Sequence, residues 1–191
     1  SDRHEGFSEA VRYASFQTLA VLTGTGFSTD DFDKYPAFSK MLLVCLMFVG
    51  GCAGSTAGGM KIARIMVVFK VAYRETYRVF RPQARMSVRI SGNVVKDEVV
   101  HSILVFFTSF IILFAFGAIF MAALGLDLIT AATSVAACLG NIGPGLARVG
   151  AVENYAHIPS LGKVFLAFCM MLGRLELGTI LVLLVPDFWR R

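Results

Sequence analysis

Charged side chains are scarce in this sequence, 16% of its 191 residues, whereas 56% are hydrophobic and the mean hydropathy is +0.69. A soluble domain of this size has no core large enough to hide so much apolar surface, which excludes water as the solvent for most of the chain. Cysteine is sparse too. Cys45, Cys52, Cys138 and Cys169 show no Cys-x-x-Cys spacing, which excludes a zinc ribbon or a disulfide framework and leaves them as small buried packing residues. His4, His101 and His157 are isolated and lack metal-ligand spacing. No nucleophile–base pair is evident, so the chain is not expected to be an enzyme. The glycines do not fit nucleotide loops either: Thr29 stands where a third glycine would follow Gly24 and Gly26, and Met60 and Ile62 occupy the Lys and Ser/Thr positions after Gly54. The chain opens on a polar stretch with Asp2, Glu5 and Glu9, without an initiator Met or an apolar signal core, and reads as part of a longer protein.

Basic residues are unevenly placed. Residues 61–96 hold Lys61, Arg64, Lys70, Arg74, Arg78, Arg81, Arg85, Arg89 and Lys96 against a single acid, Glu75. Between two apolar regions, such a segment is cytoplasmic by the positive-inside rule. It has no aromatic stacking platform, so nucleic acid is not an expected partner, whereas a cytosolic protein and membrane lipids are.

Residues 99–124 form the longest apolar run, with His101 as its only titratable group. As a helix these 26 residues reach roughly 39 Å against a hydrocarbon core of about 30 Å, so they predict a spanning segment that ends outside the cytoplasm at Gly125-Leu126-Asp127. Residues 128–139 are apolar and rich in small side chains, but as helix they cover only about 18 Å. They must enter and return. The following Gly140-Asn141-Ile142-Gly143-Pro144-Gly145 cannot be regular helix, and irregular backbone at membrane depth is tolerated only against protein or a water-filled space. Residues 164–185 predict a second crossing, closed at the cytoplasmic interface by Trp189, Arg190 and Arg191.

The same order recurs upstream. Residues 9–22 predict a helix too short to span, Thr23-Gly24-Thr25-Gly26-Phe27 is a glycine loop, residues 28–34 form a polar turn carrying Asp30, Asp31 and Asp33, and Tyr35-Pro36 opens a crossing that runs past Met60. Placing Gly26 on Gly143 sets an offset of 117 residues, with Gly24 and Thr25 on Asn141 and Ile142. The crossing contains Gly50, Gly51, Gly54, Gly58 and Gly59 within ten positions. Each costs roughly 1 kcal/mol relative to Ala in a helix, so the segment should unwind.

A glycine loop after a short re-entrant helix suits a cation. The helix C-terminus carries unpaired carbonyls and about half a negative charge, and glycine lets further carbonyls turn toward one axis to replace a potassium ion's hydration shell. Two such loops are two quarters of a four-fold ring. Arg174 and Glu176 fall near the middle of the last crossing, where a charge costs about 2.5 kcal/mol or more. Two residues apart, they lie on different helix faces. Arg174 is expected to face the ion path as an electrostatic barrier and Glu176 to bind a basic group such as Lys61. A secondary transporter for another cation or small solute, also built on broken helices, is the alternative.

Together, Thr23-Gly24-Thr25-Gly26-Phe27, the stretch 50–61, Asn141-Ile142-Gly143-Pro144-Gly145-Leu146 and Gly173-Arg174-Leu175-Glu176 resemble the C-terminal half of a Trk/Ktr-type potassium transporter of the TrkH-like kind. The resemblance implies an all-α integral membrane fold of helix–pore helix–filter loop–helix repeats: residues 1–81 as a third repeat without its first helix, 82–98 as a cytoplasmic basic loop and 99–191 as a fourth repeat. It implies potassium contacts at Gly24, Thr25, Gly26, Asn141, Ile142 and Gly143, and a gate built from Gly50, Gly51, Gly54, Gly58, Gly59, Lys61, Arg174 and Glu176. Potassium is then the bound and transported ion, without an organic cofactor. The implied partners are the N-terminal repeats, a second copy in a homodimer and a TrkA-like cytosolic nucleotide-binding ring, at a bacterial cytoplasmic (inner) membrane. The fourth loop departs from the Thr-x-Gly-Phe pattern with Asn141-Ile142-Gly143-Pro144.

Overall fold

The structure is a computed structural model and describes residues 6–52, 54–55, 57–81, 87–90 and 92–175. Six α-helices dominate it. Helix α1 (Phe7–Thr23) stops where Gly24 takes the left-handed conformation at φ 68°, and the Gly24 N–H donates to Val21 O. A 3-10 turn (Phe32–Lys34) leads to Pro36, and α2 (Ala37–Phe48) begins directly after it, a position that suits proline because no helical N–H is lost. Helix α2 ends at the glycine-rich stretch. Strand β1 (Val49–Gly50) then pairs in parallel with β2 (Met60–Lys61), Val49 opposite Met60 and Gly50 opposite Lys61, which draws the intervening loop closed at its neck. A Cβ on Gly50 would lie 2.6 Å from the carbonyl oxygens of Gly58 and Met60, so the neck closes only on a glycine. The predicted unwinding is thus present, and the chain resumes as helix α3 (Ile62–Phe80).

The basic segment is more structured than a loop. Helix α3 covers most of it, and an antiparallel pair, β3 (Arg89–Ile90) with β4 (Asn93–Val94), precedes the next helix. Val67 and Val71 of α3 pack with Val88 and Val100, while Arg64 lies over the Phe106 ring at 4.3 Å. These two-residue strand pairs are the exceptions to an otherwise helical architecture among the described residues.

Helix α4 (Asp97–Ala123), 27 residues with a mean hydropathy of 2.7 over its most apolar stretch, is the one helix among the described residues long and apolar enough to cross a membrane. Helix α5 (Leu128–Leu139) has the bounds its composition predicts and is buried along almost its whole length between α4 and α6 (Ser160–Arg174). Its small residues let neighbours approach: a Cβ on Gly117 of α4 would come within 2.9 Å of Val135 Cγ1. In a lipid setting that packing is driven by dispersion and close fit more than by release of water. Met121, Val135, Leu139, Leu166 and Cys169 form this core, and a second cluster of Val21, Phe32, Leu43, Met47, Ala136, Ile142 and Leu146 joins the two halves. Cys138 and Cys169 are buried as expected, but Cys45 and Cys52 are exposed. Cys45 lies on the side of α2 that no described residue covers, and Cys52 lies in the irregular loop.

Candidate ion-coordinating site

The two glycine loops meet. A Cβ on Gly24 would stand 3.5 Å from Asn141 O, and one on Gly26 would collide with Ile142 O. The carbonyls of Asn141 and Ile142 therefore face the 23–27 loop across a narrow seam. Local backbone explains how each loop turns out of its helix. Gly24 and Gly26 have φ of 68° and 69°, and Asn141 and Gly143 have φ of 51° and 109°. The left-handed region costs a residue with a Cβ about 1–2 kcal/mol, and asparagine is among the side chains that tolerate it best.

The hydrogen bonds repeat at the offset read from the sequence. Gly24 N donates to Val21 O and Thr25 N to Ala20 O; 117 residues on, Asn141 N donates to Cys138 O and Ile142 N to Ala137 O. Both loops thus close the last turn of their helix in the same way and leave the following carbonyls for other partners.

Their supports differ. In the first loop, Thr25 Oγ1 donates to Ala20 O at 3.4 Å and lies 3.3 Å from Thr23 Oγ1. Behind it, the buried amide of Gln17 donates to Ser28 Oγ (2.6 Å) and Asp30 O (3.1 Å), while Ser28 Oγ donates to Asp30 O. In the second loop, Asn141 Nδ2 donates to Met170 O at 3.1 Å, Thr133 Oγ1 accepts from Leu146 N at 3.0 Å, and Tyr155 Oη donates to Gly143 O at 2.7 Å. One carboxylate bridges the halves. Asp33 Oδ1 accepts from Ala147 N at 2.8 Å, and its other oxygen fills the space a side chain at Gly150 would need. Burial raises the Asp33 pKa above its ordinary 3.8, partly offset by that Ala147 N–H.

The broken helix presses against one side of the seam. A Cβ on Gly58 would lie 2.6 Å from Gly140 O and 2.9 Å from Asn141 Nδ2, and Ala57 Cβ is 3.6 Å from where one would stand on Gly24. On α6, a Cβ on Gly173 would come closer still, 2.1 Å from Leu139 O. Lys61 Nζ donates to Ser55 O and to Ala57 O (3.1 Å), so an ammonium holds the loop from inside. A cavity of about 180 Å³ lined by Ser55, Ala57, Gly59, Lys61, Phe106, Gly173 and Arg174 adjoins it. Gly50, Gly51, Gly54, Gly58, Gly59, Lys61 and Arg174 are therefore gathered in and around this loop. Glu176, expected to bind Lys61, lies outside the described residues.

Sequence reasoning missed Gln17, Thr133 and Tyr155 and placed Asp33 only in a polar turn. Gln17 carried a readable signal: a lone amide on the same helical face as Ala20 and Val21. Tyr155 carried none, because its partner is twelve residues away across a polar loop.

The family model of the TrkH cation transport proteins matches residues 6–191. The "Trk system potassium uptake protein TrkH" of Halomonas elongata is 39% identical over 183 residues, covering 96% of this chain and 38% of the relative. Its Escherichia coli K12 counterpart is 37% identical over 190 residues, covering 98% and 39%. The crystal structure of the potassium transporter TrkH from Vibrio parahaemolyticus superposes with a TM-score of 0.88 at 36% identity, covering 97% of this chain and 39% of that one. The chain spans about two-fifths of the length of these relatives.

Proposed function

The chain belongs to the TrkH cation transport family, and from that premise we propose that it supplies two quarters of a potassium pathway through a bacterial cytoplasmic membrane. Residues 1–81 act as a third pore repeat and 99–191 as a fourth, joined by the basic connection 82–98. Gly24, Thr25, Gly26, Asn141, Ile142 and Gly143 form the filter quarters, with the carbonyl oxygens of Gly24, Thr25, Asn141 and Ile142 turned to the ion, and potassium, the ion in the relatives' printed names, is what they hold. The observation that carries this reading is the seam where two loops with left-handed residues, each at the C-terminus of a helix, meet with the Asn141 and Ile142 carbonyls against Gly24 and Gly26. A helix C-terminus and a carbonyl cluster favour a cation of modest charge density.

The loop of residues 49–61 lies beside this seam and acts as the gate. Lys61 holds it by its own carbonyls, and Arg174 in the adjoining cavity sets an electrostatic barrier to cations. The N-terminal repeats, a second copy and a TrkA-like cytosolic nucleotide-binding ring complete the assembly, with basic α3 facing that ring and anionic lipid headgroups.

The test is ion flux through the intact transporter in proteoliposomes. Potassium influx at least tenfold above sodium influx at equal gradients is expected, and equal fluxes would overturn the filter reading. Arg174→Ala is expected to raise basal potassium flux severalfold, and unchanged flux removes Arg174 from the gate.

A further inference from the structure

We infer that Tyr155 is a positioning residue for the fourth filter loop, holding the Gly143 carbonyl off the ion seam and so setting which ions the pathway accepts. The inference rests on the potassium-pathway reading above. Three consecutive carbonyls leave the second glycine loop, and they divide. Those of Asn141 and Ile142 abut Gly24 and Gly26. That of Gly143 accepts the Tyr155 hydroxyl at 2.7 Å, within a separate crevice of about 280 Å³ lined by Cys138, Gly143, Tyr155, Lys163 and Met170 among others.

The division has a local cause. Gly143 adopts φ 109°, farther round than the 69° of Gly26, its counterpart 117 residues earlier. Unlike Gly26, it has nothing within 4 Å of the place a Cβ would take, so crowding does not fix its peptide plane. Pro144 follows and has no N–H to contribute to holding the turn. The phenol is thus the described side-chain bond on that carbonyl. Tyr155 is itself fixed by packing against the core of α4, α5 and α6. Burial raises the phenol's pKa, so the O–H remains a donor throughout the physiological range.

A carbonyl tied to a hydroxyl on a ring packed against the core loses freedom to swing toward an ion. With the bond present, the fourth quarter offers two oxygens along the seam and holds a third away from it. Without the bond, the Gly143 peptide can rotate and offer a further oxygen, which changes the coordination available to ions of different radius.

Tyr155→Phe removes the hydroxyl and little else. In the intact transporter in proteoliposomes, the potassium-to-rubidium and potassium-to-sodium flux ratios are expected to shift about threefold, with the apparent KM for potassium moving by a similar factor. Both ratios are independent of how much protein is folded, so loss of stability alone leaves them in place. Unchanged ratios and KM would overturn the inference while leaving the filter reading intact; absence of potassium-selective flux in the wild type would overturn both. Should the Phe variant fail to assemble, 3-fluorotyrosine at position 155, a stronger donor of nearly the same shape, is expected to shift the ratios in the opposite direction. No shift there would equally refute the role.

Discussion

The two glycine loops share a backbone and differ in how they are held. The first, at residues 23–27, is bonded mainly to its own helix, and the apolar residues Phe7, Val11, Phe16 and Leu19 of α1 are exposed. The second, at residues 140–145, is tied to α5, α6 and the Tyr155 loop by side chains far apart in sequence, behind a helix that is almost wholly buried. Equivalent backbone turns therefore do not imply equivalent tolerance. Crowding fixes the first loop at the seam, and specific hydrogen bonds fix the second from behind.

The largest effect that this difference predicts comes from one substitution made in both loops. Gly26→Ser must adopt a left-handed backbone and also drive its Cβ into Ile142 O, whereas Gly143→Ser meets backbone strain alone, about 1–2 kcal/mol. Loss of potassium-over-sodium selectivity by tenfold or more is expected for Gly26→Ser, with most of it retained in Gly143→Ser. Matching losses in proteoliposome flux would erase the distinction.

A smaller contrast lies beneath the seam, where the 49–61 loop touches the two halves unequally. Gly58→Val places a side chain against Gly140 O and should push the loop away from the fourth quarter, raising basal potassium flux severalfold. Ala57→Val has more room, since Ala57 Cβ would be at ordinary contact distance even from a Cβ added at Gly24, and its flux should change less than twofold. If Ala57→Val opens the pathway as strongly as Gly58→Val, the loop is seated on both quarters equally.

The hydroxyls that support the loops rank lower still. Thr133 is buried and accepts the Leu146 N–H, so Thr133→Val leaves an amide without that partner at a cost of about 1–3 kcal/mol. Thr25 is exposed and its bond is long, so Thr25→Val is expected to cost under about 0.5 kcal/mol. Thermal melting of the purified transporter checks both, and a larger drop for Thr25→Val would reverse the ordering of the two supports.

What the sequence made legible follows the range of the forces involved. Residues 128–139 could be bounded because a break signal stands at each end, Asp127 and Gly140, and because twelve apolar residues cannot span. The 117-residue offset was readable because glycine and asparagine mark left-handed turns locally, and the same hydrogen bonds now recur at that spacing. The unwound stretch after Phe48 was readable from glycine density, although its parallel strand neck was not. Long-range pairings left no local trace. Asp33 and Ala147 lie 114 residues apart, and nothing near Asp33 distinguishes it from Asp30 or Asp31. Lys61 donates to the carbonyls of the loop that glycine had unwound around it, bonds with no mark in the sequence, while Glu176, its expected partner, lies outside the described residues. Cys45 was assigned to a core by composition, which cannot tell which side of an apolar helix has a neighbour.

The smallest contrast concerns how the helices that precede the two glycine loops begin, and pH isolates it. Helix α1 starts at Gly6 with no side-chain cap, whereas Asp127 caps α5 by accepting the Thr130 N–H at 3.1 Å. Hydrogen bonding from Thr130 lowers the Asp127 pKa below its ordinary 3.8. A depressed carboxylate contributes stability that is present above the unfolded value and is lost as pH falls through the folded one. Asp33 has the opposite sign: its raised pKa means that its contribution is present below 3.8 and lost as pH rises through the folded value. The two must be separated, so the measurement belongs in an Asp33→Asn background. There, acidification below about pH 4 should lower the melting temperature more in the Asp127-bearing protein than in Asp127→Asn, which lacks the titrating cap. Because Asp127 is exposed, solvent screening keeps the difference to about 0.5–1 kcal/mol. Parallel pH profiles for the two proteins would mean that α5 is held by burial alone, and the contrast with α1 would then reside entirely in packing.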